Sequence, residues 1–324
     1  MKSAGVLLLL GVALSTFSAV APAAQTYPAR PIRFIVPFPP GGNVDLIARI
    51  IGHKLSDVLG KQVVIDNRVG AAGIIGTEMA AKAPSDGYTM LMGSIGALSI
   101  NPSYYKKLPY DTLRSFAPVT LVATTPNILV VYPSLPANSV QELIALARAR
   151  PGQFNFASGG TGGSAHLAAE LLKTMAGINI VHIPYKGIPQ GITDLIAGRV
   201  QIMTPPMPAI VPHIKSGQLK ALAVSSVKRN SAMPELPTIA EAGVPGYQAD
   251  AWYGVLVPAG TAKPIIAKLN AEISRLLILP DISTYLTNQG AQVSTTTPEQ
   301  FAAFIKDEIA KWAYVIKSAG IQVE

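Results

Sequence analysis

The sequence of 324 residues contains no cysteine. This absence excludes disulfide bonds, thiolate metal sites, a cysteine nucleophile and a lipid-modified N-terminal cysteine. Stability must therefore come from a hydrophobic core, and the hydrophobic residues, at 49% of the chain, are numerous enough to form one. The same composition excludes a disordered chain.

Charged residues are also scarce, at 14% of the chain, but their balance is basic, with a formal net charge of +8. No run of Lys and Arg exceeds two residues, and no aromatic platform lies between the basic residues. We therefore predict no nucleic-acid partner. A diffuse positive field instead favours anionic ligands.

The first 24 residues have the pattern of a secretory signal peptide. Lys2 precedes an apolar run at residues 6–14, and small residues at 21–24 predict cleavage after Ala23 or Ala24. A transmembrane anchor would need roughly 20 continuous apolar residues, and Ser, Thr and Pro interrupt this run too early. No later segment is long and apolar enough to span a membrane. We therefore predict an exported protein that is soluble in the periplasm after cleavage.

From residue 31 onward, short apolar runs alternate with helical patterns. This strand–loop–helix rhythm is typical of parallel sheets with crossover helices, and so of an α/β fold. The predicted strands are 32–36, 63–65, 88–92, 127–132, 155–157, 180–183, 201–203, 221–225 and 252–257. The predicted helices are 44–58, 73–82, 139–150 (capped by Ser139), 164–175, 263–279 and 298–318.

The rhythm falls into two blocks, which predict two lobes. A stretch rich in proline and glycine at residues 234–246 separates the second block from the strand at 252–257. We expect the chain to rejoin the first lobe there. Domain I is then discontinuous, with residues 25–125 and 251–324, and domain II comprises residues 126–250.

Three glycine-rich turns, at residues 37–45, 93–96 and 158–164, follow predicted strands and open predicted helices. A helix start offers unpaired N–H groups and the positive end of the helix dipole, which bind a carboxylate without Arg or Lys. In an open α/β sheet such turns gather at the carboxyl ends of the strands, so we expect anion capture there. Gly41 and Gly42 also fit a plain tight turn with Asn43 as helix N-cap, and that alternative stays open.

Enzyme and metal motifs are incomplete in this sequence. No G-K-[ST] follows the glycine-rich turns, and neither G-x-G-x-x-G nor G-x-S-x-G is present. His166 and Glu170 share a helix face, but without a third ligand we expect a local hydrogen bond and no metal. Lys186 is interpreted as a solvated turn lysine and not as a catalytic amine. We therefore expect no enzyme activity and no cofactor.

Several blocks of the sequence closely resemble the Bug family, the extracytoplasmic substrate-binding proteins of tripartite tricarboxylate transporters. The resemblance runs from Tyr27 to Trp312. It implies a two-lobed type II periplasmic-binding-protein (Venus-flytrap) fold with mixed sheets and crossing hinge strands. The blocks that carry it are YPARPIRFIVPFPPGGNVD (27–45), DNRVGAAGIIGTEMAAKAPSDGYTMLMG (66–93), SGGTGGSAHLAAEL (158–171), HIPYKG (182–187) and WYGVLVPAGT (252–261).

The resemblance also implies that the turn after the first strand and the Gly/Ser loop of the second lobe bind a ligand carboxylate. Three departures from the family pattern, at Val44, Gly163 and Ile188-Pro189, remove hydroxyl contacts or alter a turn. Ser164 either replaces one lost contact or only caps its helix. Together with the three turns, this gives the predicted ligand-binding residues Phe38, Gly41, Gly42, Asn43, Asp45, Ser94, Ser158, Gly160, Thr161, Gly162, Gly163 and Ser164.

Two predicted residues have alternative roles. We expect the Asp45 carboxylate to accept hydrogen bonds from nearby backbone N–H groups in preference to contacting ligand. Phe38 and Trp252 are both candidates for the cleft wall, but core packing is the expected role of Trp252.

The sequence thus predicts a monomeric periplasmic protein that captures a small carboxylate (an organic or amino acid) by lobe closure and delivers it to membrane transporter subunits. Two alternatives stay open, a sensing subunit for a membrane kinase and an exported enzyme acting on a carboxylate. The identity of the ligand is not readable from the sequence.

Overall fold

A computed structural model describes residues 27–185, 187–288 and 290–321. The predicted signal peptide (1–24) and Lys186 lie outside the described residues. The strands of the described chain are β1 (Ile32–Val36), β2 (Val63–Asn67), β3 (Thr89–Ser94), β4 (Phe116–Thr125), β5 (Ile128–Val131), β6 (Asn155–Ser158), β7 (Val181–Pro184), β8 (Ile202–Met203), β9 (Lys220–Val224), β10 (Ala251–Pro258) and β11 (Gln292–Val293).

The helices surround these strands. They are α1 (Asn43–Leu59), α2 (Ile74–Ala81), α3 (Asn101–Tyr104), α4 (Thr112–Ser115), α5 (Val140–Ala149), α6 (Ser164–Ala176), α7 (Ile188–Ile196), α8 (Met207–Lys215), α9 (Lys263–Leu277), α10 (Pro280–Asn288) and α11 (Pro298–Ser318). A 3₁₀ turn at Ala71–Gly73 precedes α2, and a π-helical turn at Gly96–Ile100 precedes α3. Of the helices described, none is long and apolar enough to cross a membrane.

The strands form two mixed sheets. The first has the order β11-β4-β10-β3-β1-β2, in which β1 runs parallel to β2 and β3, and β10 runs antiparallel to β3 and β4. The second has the order β7-β6-β8-β5-β9, in which β6 is parallel to β7 and β8, and β5 is antiparallel to β8 and β9. The predicted α/β class with mixed sheets is therefore confirmed.

The two sheets use different parts of the chain. Strands of the first sheet lie within residues 32–125 and 251–293, and strands of the second lie within residues 128–224. Thr125, the last residue of β4, pairs in register with Ala251, the first residue of β10. The chain thus leaves the first sheet and returns to it at neighbouring points. The division into a discontinuous domain I and domain II remains a prediction, with which this distribution agrees.

Local sequence patterns explain the helix that follows β1. Val44, Ile47, Ile51 and Leu55 recur at helical spacing, and all four are buried on the inner face of α1. The helix ends at Gly60, whose φ of 65° is the left-handed conformation that glycine adopts without steric cost. Helix α11 has matching signals at its start, because Thr297 and Gln300 form a capping box there.

The core centres on the first sheet and continues into the second. All residues of β3 and β10 are buried. Trp252 packs edge-on against Phe301 and Phe304, with ring centroids 5.6 and 5.7 Å apart. Its expected core role is therefore confirmed. A second apolar cluster covers the other face of the second sheet and includes Ile192, Leu195, Met203 and Ile210.

Several elements differ from the predictions. Gly93 and Ser94, predicted to lie in a turn, are the last residues of β3, and a π-helical turn follows them. The predicted helix 263–279 ends two residues earlier, as α9, and a separate helix, α10, follows it. Seven of the described strands and α-helices were not predicted at all, namely β4, β11, α3, α4, α7, α8 and α10. Strands β4 and β11 lack a clear period, because β4 contains Pro118 and five Thr or Ala residues, and β11 has two residues.

A buried polar cluster lies where the chain crosses between the sheets. The Asn127 N–H donates to Ser225 Oγ at 2.8 Å, and the Asn127 side-chain amide donates to the Ala249 carbonyl at 2.6 Å. The Ser225 hydroxyl in turn donates to Asp250 Oδ1 at 2.7 Å. These bonds tie the outgoing chain at 127 to the returning chain at 249–250. We call these residues the hinge cluster.

Candidate functional site

The start of α1 leaves backbone N–H groups available to a ligand. Gly42 is the N-cap residue, with φ −78° and ψ 165°, and no side chain hydrogen-bonds to the helix start. Asn43 is the first helical residue, so the alternative in which Asn43 caps the helix is wrong. Because the first N–H groups of a helix have no intrahelical acceptors, this start can donate to an anion.

Asp45 is an internal anchor of this turn. Its carboxylate is buried and accepts hydrogen bonds from Gly41 N–H, Arg49 Nε and Asn67 Nδ2, each at 2.8 Å. Burial alone would raise the pKa of Asp45, but the bonds from Arg49, Gly41 and Asn67 outweigh it and hold the pKa below its ordinary value. The charged carboxylate therefore fixes the turn and has the local backbone partner that the sequence predicted.

Phe38 is held at the mouth of the same turn. Its carbonyl accepts from Asn67 Nδ2 at 3.0 Å, and its ring lies against Gly73. A Cβ at Gly73 would come within 3.0 Å of that ring, and Gly73 has φ +87°. Glycine at this position therefore allows the Phe38 ring to approach the 71–73 turn closely.

Ser94 ends β3 beside Tyr253, its registered partner on β10. The Ser94 side chain is 4% exposed, and its hydroxyl has no hydrogen-bond partner in the described part of the chain. An unpaired buried hydroxyl costs free energy, so a ligand that supplies a partner gains from this position. The Tyr253 hydroxyl, by contrast, has the Asn43 and Thr125 side chains as hydrogen-bonding neighbours.

The loop between β6 and α6 is held by hydrogen bonds of its own. The Ser158 hydroxyl bonds to the Gly160 backbone and lies 2.7 Å from His182 Nε2. Gly163 is the N-cap of α6, with φ −72° and ψ 161°, and no side chain caps the helix. Ser164 is the first helical residue, so it does not cap α6. This is the second helix start with available N–H groups.

Two histidines lie behind this loop. His166 is buried and stacks on His182 with ring centroids 3.9 Å apart, and Phe156 stacks on His182 at 4.8 Å. Burial lowers the pKa of His166 to about 3 and the pKa of His182 to about 4, so both rings are neutral at physiological pH. His166 Nδ1 accepts a hydrogen bond from the Gly162 N–H at 3.1 Å.

The predicted hydrogen bond between His166 and Glu170 is wrong. His166 Nε2 and Glu170 Oε1 are 3.7 Å apart, beyond hydrogen-bonding distance, and Lys173 Nζ donates to Glu170 Oε1 at 2.8 Å instead. Among the described residues, no group of three His, Cys, Asp or Glu side chains is placed to hold a metal.

The two helix starts and Ser94 border one cavity of about 260 Å³. Five predicted ligand-binding residues line it: Phe38, Ser94, Gly162, Gly163 and Ser164. The other seven do not, namely Gly41, Gly42, Asn43, Asp45, Ser158, Gly160 and Thr161. Of these, Asn43 borders a separate pocket of about 20 Å³, too small for an organic ligand. The other lining residues were not among the twelve predicted ligand-binding residues, although Val44, Gly96 and Gly159 lie in the three predicted turns. They are Val44, Ala72, Ile95, Gly96, Asn101, Gly159, Ala165, Ile188, Pro206, Ala251 and Tyr253.

The cavity walls carry no formal charge in the described residues. The lining contains aliphatic and aromatic side chains, glycines and the polar groups of Ser94, Asn101, Ser164 and Tyr253, but no Asp, Glu, Lys, Arg or His. The starts of α1 and α6 contribute a fixed positive potential at the cavity. Such a site can bind an anionic group through main-chain donors and an organic body through apolar contacts.

The Ser158–His182 pair has the composition of a nucleophile and its base but not the accessibility. Ser158 is fully buried and does not border the cavity. The lowered pKa of His182 also makes it a poor proton acceptor at neutral pH. The pair therefore serves the loop structure.

Comparison with known proteins gives the family. The model of the tripartite tricarboxylate transporter family receptor matches residues 47–321. The chain belongs to this family. A relative from Bordetella pertussis, Protein BugT, is 41% identical to this receptor over 100% of both chains. The resemblance to the Bug family is therefore confirmed.

Solved structures of related proteins have the same fold as this receptor. Rpa4515 of R. palustris with adipate is 39% identical, has a TM-score of 0.81 and covers 91% of this chain and 98% of its own. The periplasmic binding protein BugD is 34% identical, with a TM-score of 0.77 and coverages of 91% and 99%. MatC of Rhodopseudomonas palustris with bound malate is 31% identical, with a TM-score of 0.77 and coverages of 90% and 100%. The two-lobed periplasmic-binding-protein fold is therefore confirmed.

Proposed function

We propose that this receptor is a periplasmic, monomeric solute-binding protein that captures a small organic carboxylate and delivers it to membrane transporter subunits. One observation carries the proposal. Two helix starts without side-chain caps, those of α1 and α6, border the same uncharged cavity. The solved structures of relatives with adipate and with bound malate support a carboxylate as the ligand.

The carboxylate is bound by neutral donors. Backbone N–H groups at the starts of α1 and α6 donate to its oxygens, and the Ser94 hydroxyl donates to a ligand oxygen at the end of β3. Phe38, Val44 and Ile188 pack against the carbon skeleton of the ligand. The twelve residues predicted from the sequence then divide into those that touch ligand and those, such as Asp45 and Ser158, that shape the two turns.

Binding favours a closed arrangement of the two lobes. Helix α1 follows β1 of the first sheet, and α6 follows β6 of the second sheet. An anion that contacts both helix starts therefore has a higher affinity for the closed state than for an open one. The hinge cluster, with Asn127, Ser225 and Asp250, absorbs the change in angle.

A binding screen with purified mature protein tests this proposal. We expect adipate, malate or another small carboxylic acid to raise the melting temperature, with no product formed on long incubation. Ser94→Ala should weaken binding of the stabilising acid and leave the melting temperature of the free protein unchanged. Conversion of an acid to product by the purified protein would overturn the proposal, as would the absence of stabilisation by every acid tested.

The transport role has a separate test. We expect a carboxylate detected by mass spectrometry in the purified receptor to accumulate in cells only when both the receptor and its membrane subunits are present. Uptake that persists without the receptor would contradict delivery to a transporter. Loss of a transcriptional response without loss of uptake would indicate the sensing alternative.

A further inference from the structure

The Gly/Ser loop of the second sheet contacts the cavity with one face and a histidine with the other. Gly162, Gly163 and Ser164 line the cavity. The N–H of Gly162 does not point to a backbone acceptor but donates to His166 Nδ1 at 3.1 Å. The imidazole belongs to the third residue of α6 and is 3% exposed, so it contacts the loop from the side away from solvent.

The position of the His166 ring is fixed by its neighbours. His182 of β7 stacks on it at 3.9 Å, and Phe156 of β6 lies nearly parallel to it with centroids 6.1 Å apart. His182 Nε2 in turn bonds to Ser158 Oγ at 2.7 Å. The two ends of the loop, Ser158 and Gly162, are therefore held by two imidazoles that are stacked on each other.

The hydrogen bond from Gly162 defines the tautomer of His166. Nδ1 accepts a proton donor, so it carries no hydrogen, and the neutral ring has its hydrogen on Nε2. If Nδ1 carried a proton, two N–H donors would face each other. The hydrogen bond between Gly162 and His166 would then be lost, and the loop would move away from the ring. The charged and titratable groups that face the ring are Glu170 and Lys173 on α6 and His182 on β7. Burial, His182 and Lys173 all lower its pKa, which keeps the ring neutral.

We infer that His166 is a positioning residue for ligand binding, in which the unprotonated Nδ1 holds the Gly162 N–H and so orients the start of α6 toward the ligand carboxylate. The inference rests on the proposed function, because it assigns a role at the same site. His166 makes no contact with the ligand in this arrangement. It acts through the loop, as outer groups orient the direct ligands in other binding sites.

Two substitutions distinguish the role of His166 as a hydrogen-bond acceptor from the role of its ring in stacking. His166→Phe keeps the stacking ring and removes the acceptor, whereas His166→Asn places an amide oxygen close to the position of Nδ1. We expect His166→Phe to weaken the affinity for adipate or malate, whichever binds the wild type, by about tenfold, the typical effect of one lost hydrogen bond. His166→Asn should restore most of that affinity. His53→Phe, at an exposed histidine on α1, is the control and should change nothing.

Two measurements without ligand complete the test. Hydrogen exchange in the peptide that covers residues 158–166 should be faster in His166→Phe than in the wild type and His166→Asn. The ¹⁵N spectrum of wild-type His166 should show a neutral ring with hydrogen on Nε2 at pH 5. A wild-type protein that binds no acid contradicts the proposed function, whereas the exchange data still decide the role of His166. Equal exchange in all variants, equal affinities in a binding-competent protein, or a hydrogen on Nδ1 would overturn the inference.

Discussion

Replacement of Asp250 by asparagine should make this receptor more stable at neutral pH. Asp250 is a buried acid of the hinge cluster, 9% exposed, and accepts a hydrogen bond from Ser225. Burial raises its pKa to about 6, because the hydrogen bond from Ser225 and the charge of Lys311 offset only part of the desolvation. Asparagine retains the side-chain oxygen that accepts from Ser225 and has no charge to bury.

The magnitude follows from the two pKa values. An acid whose pKa is raised in the folded state contributes stability below its unfolded pKa and loses that contribution as the pH rises through its folded pKa. For Asp250 the unfolded value is 3.8 and the folded value about 6. The shift of roughly two units corresponds to about 3 kcal/mol of unfolding free energy lost between pH 4 and pH 7.5. Asp250→Asn should therefore exceed the wild type by up to about 3 kcal/mol at pH 7.5 and by nothing at pH 4.

Urea denaturation at pH 4, 5, 6 and 7.5 measures this difference. The buried residues Trp252 and Trp312 report unfolding by fluorescence. Asp57→Asn, at an acid with a side chain that is 64% exposed, is the control and should follow the wild type at every pH. Comparison of variant and wild type at each pH cancels the other titrating groups. A variant less stable than the wild type at pH 7.5, or a difference that does not change with pH, would refute the reasoning.

Three further predictions concern single positions. Ser94→Ala should lower ligand affinity about five- to tenfold by calorimetry without destabilising the free protein, because its hydroxyl has no partner in the described chain; unchanged affinity would contradict it. Gly254→Ala should lower the free energy of unfolding by about 2–3 kcal/mol in urea denaturation, because the new Cβ would lie 2.1 Å from the Phe301 ring. A Cβ added at Gly96 meets no atom within 4 Å, so Gly96→Ala is the matched control and should change the stability little. Thr297→Ala should cost about 1 kcal/mol through loss of the α11 capping box, and an unchanged midpoint would exclude that role.

The sequence was most informative where a local pattern acts alone. Helix α1 was predicted from apolar residues at helical spacing and the glycine that ends it, and α11 was predicted with its observed bounds. The strand–loop–helix rhythm predicted the α/β class because each parallel pair needs a crossover. These features depend on neighbours within a few residues.

Features that depend on tertiary contacts were not predictable in the same way. Strand β4 has no alternating pattern, because it is the central partner of β10 and β11 and is covered by α9 and α11. Tyr253 and Ala251 reach the cavity only because β10 returns antiparallel beside β3. The Gly162–His166 bond was not predicted, because the spacing of His166 and Glu170 on one helix face favours a bond between those two side chains, whereas the fold turns the ring toward the loop. A histidine four residues after a glycine in a helix-opening loop was the available signal.

The pairing of Thr125 with Ala251 has a mechanical consequence. The whole second sheet is inserted between two residues that face each other on adjacent strands, in the way that a long loop is inserted in a hairpin. Two adjacent connecting segments allow the two parts of the molecule to rotate about them, but they resist translation of one part past the other. We therefore expect the two halves to move by rotation about these segments, with little translation. In a shortened chain that lacks residues 126–250, we expect the two cut ends to be close enough for a two-residue turn to join them.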